Sequence, residues 1–457
     1  MRSKLVSTWD ALLASYWFLP GVMTLGSVLL AALMVWFDTG DKLTWLRDIP
    51  FISLSQPDGA RSLLSTISGS MIGVAGVAFS ITMVVLTLTS GQYGPRLVGN
   101  FMRDRGNQFV LGSFIGTFIY CLLVLRTIRS ADESGALTSF VPHLAVTFSV
   151  LLAAFNLGVF IYFIHHTAES IQASTIITNI AKSLEDLIKK IYPEERFSHE
   201  RGPSDEALNI ATSVPDSFDE EAQSVPMEHS SYLQTVGVQR LVAAAKEHGV
   251  IVRVPHRPGT FLVERRPLLL VWPKERLTDE LAGKLRGAFT FGPRRTPLQD
   301  FDFLFDQLTE VALRALSPGI NDPVTAIECI NRIGEGFNLF VSRKPHSPYF
   351  LDDEEKLRLI YTQVDIKDLV QNTFGPLRRF SGDNMMVSLH LLQTITVLRA
   401  LNDHPRLSDA LVEQADLILE VASDVLIEAD LEEVSRAHRQ ATSRRDALDP
   451  PIQKVGF

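Results

Sequence analysis

The chain has 457 residues, of which 46% are hydrophobic and 21% are charged, and its mean hydropathy is +0.14. This composition excludes a chain that is disordered or of low complexity throughout, and the length suits roughly three domains. The net charge is −9, and two cysteines are too few for a disulfide framework, so the sequence gives no sign of an oxidising compartment.

Charge is absent from four long stretches within the first 170 residues: 11–37, 62–95, 106–125 and 134–168. A helix of about 20 apolar residues crosses the hydrocarbon core of a bilayer. Four such stretches, separated by short charged loops, predict four transmembrane helices. Their predicted bounds are Tyr16–Phe37, Leu63–Thr89, Phe109–Leu125 and His143–Ile164. Together they make residues 1–166 a predicted membrane domain.

Lysine and arginine near the ends of the spans favour an orientation with both termini in the cytoplasm. With the N-terminus inside, eight of these basic residues lie on the inner side and five on the outer side. Basic residues are enriched in cytoplasmic loops. The connection Gly91–Gln108 mixes arginines with apolar side chains, which is typical of a short helix lying on anionic lipid headgroups.

The second span carries small residues on one face. Gly69, Gly73, Gly76 and Ser80 recur at helical spacing. Small residues at this spacing let another backbone approach closely, so tight helix packing is the favoured interpretation. The alternative is a helix that lines a pathway for water, ions or a solute.

One amide lies in the middle of the fourth span. Asn156 needs a hydrogen-bond partner in hydrocarbon, and an interhelical bond is the favoured role. Ser113, Thr117 and Tyr120 lie on one side of the third span and are its candidate partners. A place in a permeation path is the alternative.

The remainder of the chain is acidic. Residues 171–457 carry 33 basic and 43 acidic side chains, without a basic stripe, which argues against nucleic acid as a partner. Residues 167–192 keep helical spacing of large apolar side chains and predict a helix that continues the fourth span. Residues 193–229 contain ten acids, two arginines and four prolines, and are predicted to be an acidic flexible loop.

Residues 230–275 are predicted to form a small α/β subdomain. Leu233–Glu247 is the predicted helix. A turn at His256–Gly259 separates two of the three predicted short strands, which are Val250–Val254, Thr260–Val263 and Leu268–Trp272. We expect them to form a small β-hairpin sheet.

Residues 276–440 are predicted to be a helical cytosolic domain, followed by a tail over 441–457. The helical stretches are 276–290, 299–316, 323–342, 352–373, 383–402 and 405–439. The predicted fold class is therefore mainly α, with a four-helix transmembrane domain followed by a mostly helical cytosolic domain that includes the small β-hairpin sheet.

The loop Ser317–Pro323 separates two of these helices. Asp322 is placed to cap the following helix, and Pro323 occupies its favoured first position. Capping alone explains these residue types. A helix N-terminus also offers free amides to an anion, so Ser317, Asn321 and Asp322 remain candidates for a ligand or subunit contact.

Motifs that carry chemistry are missing from the sequence. It contains no GxxxxGK[ST], HExxH, GxSxG or CxxC pattern. We therefore predict no catalytic residues, no metal site and no cofactor, and we expect the protein not to be an enzyme.

Two segments carry a family resemblance: SGQYGPRLVGNFMRDRGNQFVLGSFIGTFIYCLLVLRT at Ser90–Thr127 and ALRALSPGINDPVTAIECINRI at Ala312–Ile333. With the four-span layout and the RPGTFLV hairpin, they resemble the bacterial membrane-protein family catalogued as domain-of-unknown-function family 2254. The resemblance implies a multi-pass protein of the bacterial inner membrane with a large cytosolic domain. It implies no catalytic residues and no established activity.

Two functions fit these observations. The favoured hypothesis is a homo-oligomeric, channel-like or transport protein, embedded among membrane lipids and gated by its cytosolic domain. Several subunits would be needed, because four spans are too few to enclose a wide pathway alone. The alternative is a membrane-anchored sensor or scaffold whose cytosolic domain binds a partner or a ligand of unknown identity.

Overall fold

The computed structural model describes residues 17–39, 56–94, 104–130, 139–193, 214–345 and 347–443. The chain divides into two compact units, Met1–Thr175 and Ile176–Phe457. The amphipathic segment predicted at Gly91–Gln108 lies largely outside the described residues. The predicted fold class, mainly α with four apolar helices at the start and small sheets later, is confirmed.

The first unit contains four helices that are long and apolar enough to cross a membrane. They are α1 (Phe18–Thr39), α2 (Pro57–Tyr93), α3 (Arg105–Thr127) and α4 (His143–Ser170). Helix α3 is the most buried of the four. In an apolar stretch of 18 residues taken from each helix, 61% are buried in α3, 28% in α2 and in α4, and 11% in α1.

Helices α1 and α3 meet at two glycines of α3. A Cβ at Gly112 would lie 2.6 Å from the Sδ of Met23, and one at Gly116 would lie 2.5 Å from the Oγ of Ser27. Neither position has room for a larger side chain. Gly112 and Gly116 are thus a Gly-x-x-x-Gly pair at a close helix crossing.

The last turn of α1 also caps α4. Asp38 is 2% exposed, and its carboxylate accepts hydrogen bonds from the backbone N–H groups of Leu144 and Ala145 at 3.1 and 2.9 Å. These are orphan donors of the first turn of α4, which a buried helix must satisfy. The hydroxyl of Tyr120 on α3 donates to the carbonyl of Ala145 at 2.9 Å. One corner of the unit therefore joins three helices.

Helix α4 does not continue into the next helix as predicted. It ends at Ser170, and α5 begins at Ala173 and ends at Ile191. Ile171 and Gln172 interrupt the helix. The strongly amphipathic α5 buries Ile177, Ile180, Leu184, Leu187 and Ile188.

The described part of the second unit contains two sheets. The five-stranded sheet has the order β1 (Gln223–Pro226), β5 (Pro267–Trp272), β3 (Ile251–Val254), β8 (Leu357–Tyr361) and β7 (Tyr349–Leu351). Only the β3–β8 pair is parallel. The three-stranded antiparallel sheet has the order β4 (Phe261–Leu262), β2 (Ser231–Val236) and β6 (Phe289–Gly292).

Nine further α-helices complete the described part of the second unit. They are α6 (Phe218–Glu221), α7 (Val238–His248), α8 (Asp279–Arg286), α9 (Asp302–Ala315), α10 (Pro323–Val341), α11 (Ile366–Phe380), α12 (Met385–Leu401), α13 (Pro405–Val425) and α14 (Glu428–Thr442). A 3₁₀ turn (Lys274–Arg276) lies between β5 and α8. Helices α7 and α8 cover the strands with aliphatic side chains. The remaining long helices pack around phenylalanines, among them Phe305, Phe337 and Phe374.

Several predicted bounds are wrong. The stretch 193–229 contains α6 and β1 in its described part, Leu233–Val236 belongs to strand β2, and 276–290 ends in strand β6. The predicted helix 352–373 begins with the β7–β8 hairpin, whose residues Leu357–Tyr361 extend the five-stranded sheet. The predicted helix 405–439 is two helices, α13 and α14.

We predict that Gly116→Leu destabilises the first unit. The added side chain must separate α1 from α3, and overpacking of this kind costs about 1–3 kcal/mol. Gly26→Leu is the control, because nothing lies within 4 Å of a Cβ at Gly26 on the exposed side of α1. Thermal unfolding of the purified chain measures the effect. Equal melting temperatures for the two variants would show that the crossing is looser than described.

Candidate functional site

The small-residue stripe of α2 faces away from the other described helices. Gly69, Gly73, Gly76 and Ser80 are exposed, and no atom of another residue lies within 4 Å of a Cβ placed at the three glycines. The face of α2 that packs within the chain carries other residues, including Ala75, Ala78 and Thr82. Within the described part of the chain, the stripe therefore does not pack against another helix. A contact between chains and a pathway remain predictions.

Several hydroxyl groups of α2 are bonded within the helix, although the buried Thr89 hydroxyl has no partner among the described residues. Ser70, Ser80, Thr82 and Thr87 each donate to the carbonyl four residues earlier, at 2.8 or 2.9 Å. Such back-bonding satisfies a hydroxyl donor in an apolar environment. The polar residues of α2 are thus compatible with lipid as well as with water.

Asn156 joins α4 to α3. It is 1% exposed, its Oδ1 accepts a hydrogen bond from Ser113 Oγ at 2.5 Å, and its Nδ2 donates to Thr117 Oγ1 at 2.7 Å. Tyr120, the third candidate partner, bonds to the backbone of α4 instead. In this structure Asn156 makes a pair of interhelical hydrogen bonds, one through Oδ1 and one through Nδ2.

The loop before α10 is a capping structure. The Asp322 carboxylate accepts from the Thr325 N–H at 3.1 Å and from the Thr325 hydroxyl at 2.6 Å, and the latter bond lowers its pKa. The Ser317 hydroxyl donates to the carbonyl of Arg314 at 2.6 Å. Asn321 has a φ of 48°, a left-handed conformation that asparagine tolerates. These three candidates serve the local chain and lie outside the cavity described next.

A cavity of about 750 Å³ lies in the second unit. Cavities of 300–1,000 Å³ with mainly apolar walls and a few polar groups are typical of ligand sites. Five separate parts of the chain line it: the end of α5, the β2–α7 segment, the β3–β4 turn, the segment before α9, and the β7–β8 hairpin with the residues after it. Its lining residues include Lys190, Tyr192, Val238, Val242, Ala243, Lys246, Arg257, Leu298, Asp300, Phe301, Asp302, Phe350, Asp352, Asp353 and Tyr361.

The apolar walls belong to the packed sheet layer. Val238, Val242, Phe350 and Tyr361 are partly buried and pack against the aliphatic core of the sheet, so each has one side on the core and the other on the cavity. A wall of this kind is held in place by its own packing. This part of the wall is thus built on strands and helices, while turns and connecting segments such as Arg257–Pro258 and Leu298–Phe301 supply the rest.

Aromatic residues form the wall at the end of α5. Tyr192 is 6% exposed, and its ring lies edge-on to Phe301 and Phe340, with centroid separations of 6.1 and 5.6 Å. Burial raises the pKa of Tyr192 to about 12, against the opposing charge of Arg257. The phenol is therefore neutral at physiological pH.

A buried ion pair supports the floor of the cavity. Asp300 has a side chain that is 1% exposed, and it accepts from Arg295 Nε at 2.8 Å, from Arg295 Nη2 at 3.1 Å and from the Phe303 N–H at 3.1 Å. Burial raises the pKa of Asp300, and the bonds and charge of Arg295 oppose that rise. A Cβ at Gly259, whose φ is 93°, would collide with the same carboxylate.

Two further ion pairs lie at the wall. Arg257 Nη2 donates to Asp302 Oδ2 at 2.7 Å, and Lys246 pairs with Asp353. The neighbouring Asp352 accepts from Arg358 Nε at 2.7 Å, and this bond lowers the pKa of Asp352 to about 2. The carboxylates of the cavity are therefore held by basic side chains of the same unit.

Sequence reasoning missed this cavity entirely. Its residues come from positions between 190 and 364, and none of the contributing segments carries a motif. The nearest signal was the RPGTFLV hairpin, which supplies Arg257 and Pro258. Among the described residues, no group of three or more His, Cys, Asp or Glu side chains is arranged to hold a metal ion. The two cysteines, Cys121 and Cys329, are free and buried.

Comparisons with known proteins give a family and several relatives for this chain. The family described as "Predicted membrane protein (DUF2254)" matches residues 14–397. The Uncharacterized protein Rv1290c of Mycobacterium tuberculosis (strain H37Rv) is 30% identical over 415 residues, which is 88% of this chain and 76% of that protein. The Uncharacterized protein Mb1321c of Mycobacterium bovis has the same identity and coverage. No solved structure matches the chain.

We predict that Arg295→Gln destabilises the second unit strongly. It leaves the buried Asp300 carboxylate without two of its three donors, and breaking such a pair costs about 3–5 kcal/mol. The double variant Arg295→Gln with Asp300→Asn should recover part of the loss, because the buried Asp300 charge is gone and only the partly exposed Asp306 still lacks its Arg295 partner. Arg332→Gln, which breaks an exposed pair with Glu335, should cost less than about 1 kcal/mol. Equal losses of melting temperature in Arg295→Gln and Arg332→Gln would contradict a buried ion pair between Arg295 and Asp300.

Proposed function

The chain belongs to the DUF2254 family of predicted membrane proteins, and we propose that it is an integral membrane protein that senses a small ligand. The ligand binds in the cavity of the second unit. The observation that carries this proposal is the cavity itself, whose wall includes Lys190, Ile191 and Tyr192 at the end of α5. Helix α5 follows the last apolar helix after only two residues.

Occupancy of the cavity acts through α5. A ligand that contacts both the end of α5 and the sheet layer stabilises one position of α5 over others, and it shifts the equilibrium by its difference in affinity for those positions. Since α5 is joined to α4 in the chain, this is the direct covalent route from the cavity to the membrane helices. The role is one of binding and not of catalysis, because the cavity carboxylates are paired with basic side chains.

For the location, we propose four spans in a bacterial inner membrane, with both termini and the second unit in the cytoplasm. The apolar helices and the bacterial relatives support a membrane protein, and the eight-to-five distribution of basic residues supports this orientation. Membrane lipids are then the surroundings of α1–α4. Nucleic acid is not among the proposed partners, because the second unit is acidic.

We predict that Ala243→Trp abolishes ligand binding without unfolding the chain. Ala243 is an exposed residue of α7 on the cavity wall, so the indole fills empty space and displaces no packed group. A ligand at 100 times its Kd stabilises a protein by about 2.7 kcal/mol. The measurement is a thermal-shift screen of metabolites and lipids on the full chain in nanodiscs.

Gln440→Trp, at an exposed position of α14 away from the cavity, is the matched control. The proposal predicts at least one compound that raises the melting temperature of the wild type and of Gln440→Trp but not of Ala243→Trp. If every stabilising compound acts equally on all three proteins, the cavity is not a ligand site.

A second candidate function is favoured by the outward stripe of α2. Gly69, Gly73, Gly76 and Ser80 offer a close-approach face that the chain itself leaves open, which suits contact with a second copy in a homo-oligomer. In such an assembly the same helices line a channel-like pathway, and the ligand-binding unit gates it. This is compatible with the sensor proposal and adds an output to it.

We predict that Gly76→Leu reduces the oligomeric mass of the purified protein. Four added heavy atoms on each subunit keep two α2 helices apart. Gly158→Leu is the control, since Gly158 on α4 is equally exposed and equally free of neighbours. Light scattering in mild detergent gives the mass, and ion flux into liposomes tests the pathway. A wild type with the mass of one chain, or equal masses for both variants, would remove the α2 contact.

A further inference from the structure

We infer that the cavity takes an amphiphile with one anionic head, a carboxylate or a phosphate ester, and an apolar body. This inference rests on the proposed function that the cavity binds a small ligand, and it names the chemical class. The charged side chains that line the cavity are Lys190, Lys246, Arg257, Asp300, Asp302, Asp352 and Asp353. The charge of a suitable ligand follows from which of these side chains keep hydrogen-bonding groups without a partner.

The acidic side chains of the cavity are already occupied. Asp300 accepts from Arg295, Asp302 from Arg257, and Asp353 pairs with Lys246. Asp352 accepts from Arg358 and from the N–H groups of Glu354 and Lys356 at 2.9 and 3.0 Å. A cationic ligand that displaced the partner of Asp300, Asp302 or Asp352 would leave a basic side chain of the unit without its carboxylate. The Asp353 side chain is 76% exposed, and its pair with Lys246 is open to solvent.

The basic side chains keep free donors. Lys190 is exposed on the last turn of α5, and no carboxylate of the described residues lies within 4 Å of its Nζ. Arg257 is 29% exposed and uses Nη2 for its ion pair with Asp302, while its other guanidinium nitrogens donate to no group in the described chain. An ammonium has three donors and a guanidinium five, and neither accepts. The unfilled capacity is therefore that of donors, which an anion satisfies.

A third donor comes from strand β8. The Tyr361 hydroxyl makes no hydrogen bond within the described residues, although the residue is partly buried and lines the cavity. Burial raises the pKa of Tyr361, so the phenol stays protonated and can donate. Arg257 lies close enough to affect the pKa of both Tyr192 and Tyr361. Arg257, Tyr192 and Tyr361 therefore lie near one another, and Lys190 precedes Tyr192 by two residues at the end of α5.

The remaining wall is apolar. Val238, Val242, Leu298 and Phe350 face the cavity without a polar group of their own. Leu298 is 51% exposed and Phe350 and Val242 are partly buried, so an apolar ligand would cover surface that now meets water. Removing such surface from water contributes about 25 cal/mol per Å². An acyl or aromatic body suits these side chains, and an anionic head suits the free donors of Lys190, Arg257 and Tyr361.

The test uses the full chain in nanodiscs of phosphatidylcholine, which has no net charge, with protein-free nanodiscs as the partition control. Binding of radiolabelled decanoate is measured by equilibrium dialysis. Decyl phosphate, decanol and decyltrimethylammonium are the competitors that vary only the head. We expect both anions to compete at least tenfold better than decanol, and the cation not to compete.

Two conservative variants test the donors. Lys190→Gln and Tyr361→Phe remove groups that have no partner in the described chain, so each should leave the melting temperature unchanged and weaken decanoate binding about fivefold to tenfold. Lys189→Gln is the matched control: it removes the adjacent charge, which pairs with Glu185 outside the cavity. It should leave decanoate binding unchanged. Repeating the assay with phosphatidic acid in the nanodisc tests the source of the ligand, since competition by the bilayer indicates a lipid headgroup.

The outcomes separate this inference from the proposed function. If decanol binds as well as decanoate, or Lys190→Gln and Lys189→Gln behave alike, while Ala243→Trp still blocks binding, the cavity is a ligand site of another class and the inference is overturned. If decanoate binding is unaffected by Ala243→Trp, or no member of the series binds, the anionic amphiphile is likewise excluded. The proposed function fails only if the ligand screen also finds no dependence on Ala243.

Discussion

Hydrocarbon offers no hydrogen-bond partner, and the first unit is arranged to satisfy its polar groups internally. Asp38 of α1 satisfies two orphan N–H groups of α4, and Asn156 of α4 bonds to two hydroxyls of α3. Helix α3 is the common partner in this arrangement, and Gly112 and Gly116 let α1 approach it closely. The polar residues thus lie between helices, which leaves apolar side chains and back-bonded hydroxyls on the outside.

In the second unit, by contrast, charged and polar side chains line the cavity. The buried carboxylate of Asp300 is neutralised by Arg295, and the pair is fixed between Gly259 and the first turn of α9. Buried ion pairs contribute little net stability by themselves, but they hold a wall in one geometry when every member is satisfied. With the carboxylates compensated, the free donors of Lys190, Arg257 and Tyr361 decide the chemistry of the cavity.

The extent to which sequence predicts this structure differs between the two units. The four apolar helices could be predicted because each lies in a charge-free stretch that is long enough to cross a bilayer. Periodicity also identified the faces of those helices, but it does not state which face meets a neighbour. Gly69 and Gly73 have the same spacing as Gly112 and Gly116, yet only the second pair lies at a crossing within the chain.

The second unit was less predictable because its strands are short and its turns are charged. The sequence predicts a helix over 352–373, although Leu357 and Leu359 alternate with polar residues as in a strand, and Asp352 bonds to the backbone of a tight turn. The β7–β8 hairpin that forms there instead supplies Phe350 and Tyr361 to the cavity. Five short segments, distant in sequence, leave no local pattern from which a ligand site follows.

The interruption between α4 and α5 gives the proposed sensor a physical route for its signal. The buried face of α5 packs within the second unit, where Leu184 leaves no room for a side chain at Gly336. Helix α5 therefore moves as part of that unit. A continuous helix would carry any such movement rigidly into α4, whereas Ile171 and Gln172 are non-helical and can absorb a change of direction. In the proposed sensor, a ligand held by Lys190 on α5 and by Tyr361 on the sheet favours one position of α5, and Ile171 and Gln172 are where a change in the direction of α5 relative to α4 is taken up.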